Sequence, residues 1–171
     1  MYFIMRIMSL RTTNPSTSLR WTRHIAPLLL AWLLAAVWGS VVQTQWNLRA
    51  LVDLGVNIPA TERASVTWQD LISFAPVYAG ILAAGWLPAL PVALLLARRW
   101  PVWRSPLLAV AAGAGMVAAV RTVDVVAPMP VFIDATRHLS GLLAMAAGAV
   151  VAGLLYAVLT NANDSGQKHL R

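Results

Sequence analysis

The sequence predicts an all-α integral membrane protein, a bundle of four transmembrane helices. Three observations carry the prediction. Apolar residues make up 59% of the 171 residues and charged residues only 11%, against about 25% charge in an ordinary soluble domain. Mean hydropathy is +0.68, too apolar for a solvated disordered chain. Four apolar stretches, at about 25–42, 71–97, 105–126 and 139–160, each approach the ~20 residues that cross a bilayer core of about 30 Å. They are continuous rather than alternating, so they read as helices and not as barrel strands.

Residues 1–24 form a basic arm holding Arg6, Arg11, Arg20 and Arg23. Its apolar start is too short to span, and Met1, Met5 and Met8 are all possible starts. The first span (IAPLLLAWLLAAVWGSVV) exceeds the usual signal-peptide core of about 7–15 residues. It also lacks a clean small-x-small cleavage site, so it is expected to be retained.

In the loop between the first and second spans, WNLRALVDLGVNIP places Leu48, Leu51 and Val52 at near-helical spacing before Gly55 and Pro59. This predicts a short interfacial helix. Thr67 and Asp70 then resemble a capping box that starts the second span. That span contains Pro76, Pro88 and Pro91. Proline in a spanning helix is tolerated when neighbours cover the freed carbonyls, so a static bend is expected rather than a hinge.

The apolar part of the third span, Pro106 to Val120, covers only about 22 Å at 1.5 Å per residue. The helix is therefore expected to continue past Arg121 and Asp124. Pro128 and Pro130 prevent a regular helix beyond that point, and Val131, Phe132 and Ile133 make this connection apolar enough to lie on the end of the bundle. The fourth span carries no charge, and 161–171 is a polar tail.

Orientation is set by the cations. One side collects Arg6, Arg11, Arg20, Arg23, Arg98, Arg99, Arg104, Lys168 and Arg171 against Asp164 alone. The other has Arg49, Arg63, Arg121 and Arg137 against Asp53, Glu62, Asp70, Asp124 and Asp134. Both termini are thus expected in the cytoplasm. Trp21, Trp100 and Trp103 fall at that edge and Trp46 and Trp68 at the opposite one, while Trp32, Trp38 and Trp86 lie deeper as packing residues. The pI of about 11.3 then reflects a basic face on anionic lipid, with no nucleic-acid partner.

Small residues recur every fourth position: Ala31, Ala35 and Gly39; Ala111, Gly115 and Ala119; Ala144, Gly148 and Ala152. In lipid such stripes let helices approach closely. The third and fourth helices, the richest, are expected to form a tight pair.

Much chemistry is excluded. There is no cysteine, which removes disulfides, thiolate metal sites and the cysteine pairs of a four-span thiol oxidase. His24 and His169 map opposite His138, so no three-histidine metal site forms, and no span holds a histidine for haem. The interiors of the first, second and fourth spans lack the charge that an ion-coupled transporter needs. Gly113 to Ala118 matches a loose GxGxxA pattern but has no strand before it, so it reads as packing. No cofactor, metal or catalytic residue is expected.

One constellation is a candidate site. Arg121 and Asp124 close the third span, and Asp134, Arg137 and His138 open the fourth. They could meet in a polar pocket for a lipid headgroup or a partner's charge. The leading expectation is a small multi-pass bacterial inner-membrane protein without enzymatic activity, an accessory, assembly or scaffold subunit with a membrane-protein partner or a second copy. A lipid-binding protein or interfacial enzyme using that pocket is the alternative, and a small-molecule transporter or channel the second.

Overall fold

The structure, a computed structural model, describes residues 15–126 and 133–168. The first fourteen residues of the arm, Pro128, Pro130, Val131, Phe132, His169 and Arg171 lie outside them. Four long helices make up the fold: α1 (Pro15–Asp53), α2 (Ala60–Arg99), α3 (Arg104–Val126) and α4 (Leu139–Lys168). Each is long and apolar enough to cross a membrane, with mean hydropathy over its best window of 2.2, 2.0, 1.6 and 2.3. They pack in a ring in which each helix touches the next and α4 returns to α1. The outward faces carry exposed Leu30, Leu33, Leu87, Val92, Leu95, Val110 and Val151. Such a surface suits acyl chains and would be costly in water.

α1 is continuous from the arm through Asp53. The predicted interfacial helix is therefore not a separate element but the last turns of α1. Leu48 is buried, which holds the segment on the helix axis instead of letting it lie flat. α1 stops in a Schellman motif: Val56 N–H donates to Leu51 O at 3.1 Å and Gly55 N–H to Val52 O at 2.9 Å. Gly55 takes φ 89°, a conformation glycine adopts without a Cβ clash.

α2 begins at Ala60, behind Pro59 in extended conformation, with no side-chain cap. The expected capping box at Thr67 and Asp70 is thus displaced. Both residues lie within the helix, and Thr67 Oγ1 donates to the Arg63 carbonyl at 2.8 Å. The helix runs unbroken through Pro76, Pro88 and Pro91. It ends at Arg99, where Trp100 turns extended ahead of Pro101, since proline disfavours the helical conformation in the residue before it. One 3-10 turn (Pro101–Trp103) leads into α3, which passes Arg121 and Asp124 as its apolar length required. A second 3-10 turn (Asp134–Arg137) precedes α4. Ile133, Ala135 and Thr136 there are buried, so this connection lies on the end of the bundle. The helix of α4 continues to Lys168, so the first part of the polar tail is helical.

Glycines and indoles seal the ring. At the α2–α3 seam the backbones touch: a Cβ on Gly115 would sit 2.9 Å from the Gly85 carbonyl oxygen. At α3–α4, a Cβ on Gly153 would lie 2.7 Å from Leu108 O, and one on Gly113 2.7 Å from Val150 Cγ2. Gly39 of α1 lies under the Tyr78 ring of α2, and Gly148 of α4 under the Trp38 indole of α1. Three indoles cross the seams. Trp32 Nε1 donates to Ala79 O at 3.0 Å, Trp38 Nε1 to Ala144 O at 2.9 Å and Trp86 Nε1 to Ala112 O at 2.9 Å. A bonded indole N–H leaves no unsatisfied donor in a low-dielectric interior, while the ring fills the space over a glycine.

The stripes therefore serve different seams than their spacing implied. Ala31, Ala35, Gly39, Gly115, Ala119, Gly148 and Ala152 are buried, and Ala111 and Ala144 half-buried. Gly115 faces α2 and Gly148 faces α1, so neither builds the expected α3–α4 pair; Gly113 and Gly153 do.

Candidate functional site

α2 has 40 residues, about 60 Å of helix, twice the bilayer core. Its apolar run begins near Leu71, so Ala60–Asp70 adds about 16 Å beyond it. The end of α1 rises alongside. Together they make a helical hairpin that projects past the Asp124 end of the bundle.

A ladder of side-chain bonds stiffens this hairpin. Thr44 Oγ1 lies 2.7 Å from Asp70 Oδ2 and 2.9 Å from Ser40 O, and its single hydrogen serves one acceptor at a time. One rung higher, Gln45 Nε2 donates to Thr67 Oγ1 at 3.1 Å and Arg63 Nη1 donates to Gln45 Oε1 at 3.2 Å. Gln43, buried, receives the Ala135 N–H at 2.9 Å, which ties the hairpin base to the segment before α4. Above the ladder the tip is open, and apolar side chains share it with Arg49, Asp53 and Glu62: Leu54 is 81% exposed, and Leu51, Val52 and Val56 are exposed too. A cleft lined by Gln45, Trp46, Arg49, Val52 and Arg63 opens on its flank, with a volume of about 270 Å³.

Sequence reasoning placed the site elsewhere, at Arg121, Asp124, Asp134, Arg137 and His138. Arg121 Nη1 stands 3.7 Å from Asp124 Oδ2, with the arginine side chain 56% and the aspartate 12% exposed. Both Asp124 carboxylate oxygens are buried without a hydrogen-bond partner. Arg137 and His138 are exposed. His138 contributes its backbone, accepting the Leu142 N–H at 3.1 Å at the start of α4. The structure thus joins Arg121 to Asp124, while the side chain of Asp134 lies outside the described residues. Among the described residues no three His, Asp or Glu gather as metal ligands.

The hairpin ladder was missed. Gln43, Thr44 and Gln45 are uncharged, and a search for charge passes over them, while Thr67 and Asp70 read only as a helix cap. Their signal was spacing: polar residues at the end of one apolar run facing polar residues before the next.

At the opposite end, Arg104 Nη1 donates to Asn161 Oδ1 at 2.6 Å and Nη2 to Thr160 Oγ1 at 3.0 Å, clamping α3 to α4. Comparison with known proteins finds no matching family model, no matching curated protein and no matching solved structure.

Proposed function

We propose that this is a non-enzymatic multi-pass protein of a bacterial inner membrane, acting as an accessory or scaffold subunit of a membrane complex. The observation that carries the reading is the projecting α1–α2 hairpin: cross-linked internally by Thr44–Asp70 and Gln45–Thr67, yet apolar and exposed at Leu51, Val52, Leu54 and Val56. A rigid element with an exposed apolar tip loses little conformational freedom on docking. The basic residues Arg98, Arg99 and Arg104 support an orientation with both chain ends in the cytoplasm against anionic lipid, and the hairpin on the far side.

Purification from its host in mild detergent tests this. The reading expects a stoichiometric membrane-protein partner or a second copy of the chain, lost when Leu54→Asp and Val56→Asp are combined. A monodisperse monomer, or a partner retained by that variant, contradicts it. A second reading rests on Asp124: its buried carboxylate, paired with Arg121 but without a hydrogen-bond partner, supports a lipid headgroup or interfacial substrate held at the same end. A monomer that carries lipid, released by Asp124→Asn, would favour it.

A further inference from the structure

Two cavities of the Arg98 end run together. The first, about 380 Å³, lies in the outer surface of the bundle where α1 and α2 part, lined by Leu28, Trp32, Trp86, Leu90, Pro91 and Leu94 with Tyr156 at its back. The second, about 470 Å³, is lined by His24, Ala97, Arg98, Pro101 and Arg104 and shares Leu94 and Tyr156 with the first. Through those two residues the pair forms one groove, apolar along the span and basic at its mouth. No acidic side chain lines either part among the described residues. Arg104 is held on Thr160 and Asn161, so its charge is fixed in place. Arg98 is exposed at the end of α2.

The groove has a structural cause. α1 and α2 are drawn together at their other half by Tyr78 over Gly39 and by the polar ladder. Trp32 bonds Ala79 O, the last tie between them toward the Arg98 end among these. Below it the facing side chains are Leu28, Leu87, Leu90 and Leu94, with Pro91 among them, and none offers a polar tie. Such a cleft is filled in a membrane by an acyl chain.

We infer that this groove is a specific site for one anionic phospholipid of the leaflet at the Arg98 end, its chain between α1 and α2 and its phosphate among Arg98, Arg104 and His24. The inference rests on the membrane-spanning reading but not on the accessory-subunit reading. A hydrocarbon chain matches the apolar wall, and guanidinium groups pair with phosphate in directional, charge-assisted bonds. A zwitterionic lipid offers the same chain but adds a cation at the basic mouth.

The test is native mass spectrometry of the full chain in detergent, with dioleoyl phosphatidylglycerol or dioleoyl phosphatidylcholine added. One phosphatidylglycerol should be retained in preference to phosphatidylcholine. Arg98→Gln should weaken that retention about tenfold, the scale of one charge-assisted contact. Ala83→Trp fills the apolar wall from an exposed position and should abolish retention; Leu87→Trp, also exposed on the wall, does the same should the first variant fail to fold. Arg49→Gln, exposed at the opposite end, should leave retention unchanged. Equal retention of the two lipids, undiminished retention in a folded groove-filling variant, or equal loss with Arg49→Gln would overturn the site.

Discussion

α2 meets its two neighbours in opposite ways. Against α3 it is closed at mid-span by backbone on backbone, Gly85 on Gly115, with Trp86 bonded across to Ala112, and it parts toward the Asp124 end into a cleft lined by Val77, Ile81, Ala118 and Thr122. Against α1 it is held at one half only, by Tyr78 over Gly39 and by Thr44 on Asp70, and it opens at the other into a leucine-lined groove. Both neighbours are apolar, and the closer mid-span contact is with α3, the less hydropathic of the two at 1.6 against 2.2 for α1. Hydrophobicity therefore cannot distinguish the seams, since lipid tails compete equally for an apolar face. Close approach and polar ties decide where a seam closes, and their absence leaves a groove.

Along α1–α2 the largest expected effect comes from overfilling the closed half. Gly39→Leu has to displace the buried Tyr78 ring and should destabilise the fold by roughly 1–3 kcal/mol, the usual overpacking cost, seen as a lower thermal midpoint in detergent. An unchanged midpoint would mean that the seam is loose there. Next is the polar tie. Thr44→Val strips Asp70 of its hydroxyl partner at 2.7 Å, for about 1–3 kcal/mol if the carboxylate stays dry. A double-mutant cycle with Asp70→Asn should show coupling, whereas additivity would place water in that contact.

Replacing an indole on the sealed side is milder. Trp86→Phe keeps a six-membered aromatic ring but loses the rest of the indole and its bond to Ala112 O, the bond contributing about 0.5–1.5 kcal/mol, checked by chemical denaturation in mixed micelles. The smallest effect belongs to the charged pair outside both seams. Arg121 is 56% exposed, so Arg121→Gln should cost about 0–1 kcal/mol. A larger loss would show that Asp124 depends on it despite the 3.7 Å separation.

Much of this was legible in the chain. The four apolar runs gave four helices, and the shortness of the third run correctly carried α3 past Asp124, because membrane thickness fixes length. The turn at Gly55 was readable too, since few residues besides glycine take φ 89°. Seam assignment was not readable. A stripe such as Ala144, Gly148, Ala152 announces close approach without naming the neighbour, and Gly148 turned toward α1 because Trp38 supplies both the ring that covers it and the N–H for Ala144 O. The separate interfacial helix failed for a related reason: Gln43, Thr44 and Gln45 find partners on α2 and before α4, which keeps α1 straight. The charged residues of 121–138 were visible as a group, but only the structure could show Arg121 Nη1 at 3.7 Å from a buried Asp124 carboxylate.

The asymmetry of α2 is tested most directly by comparing two substitutions two residues apart. Gly85 is buried against the Gly115 backbone, and Ala83 is exposed on the wall of the groove. Thermal unfolding of Gly85→Leu and Ala83→Leu in the same detergent should separate them: Gly85→Leu loses most of the folded population or falls far in midpoint, and Ala83→Leu unfolds with the parent protein. Equal losses at both positions, or a greater loss at Ala83, would contradict a helix held by backbone contact at Gly85 and open at Ala83.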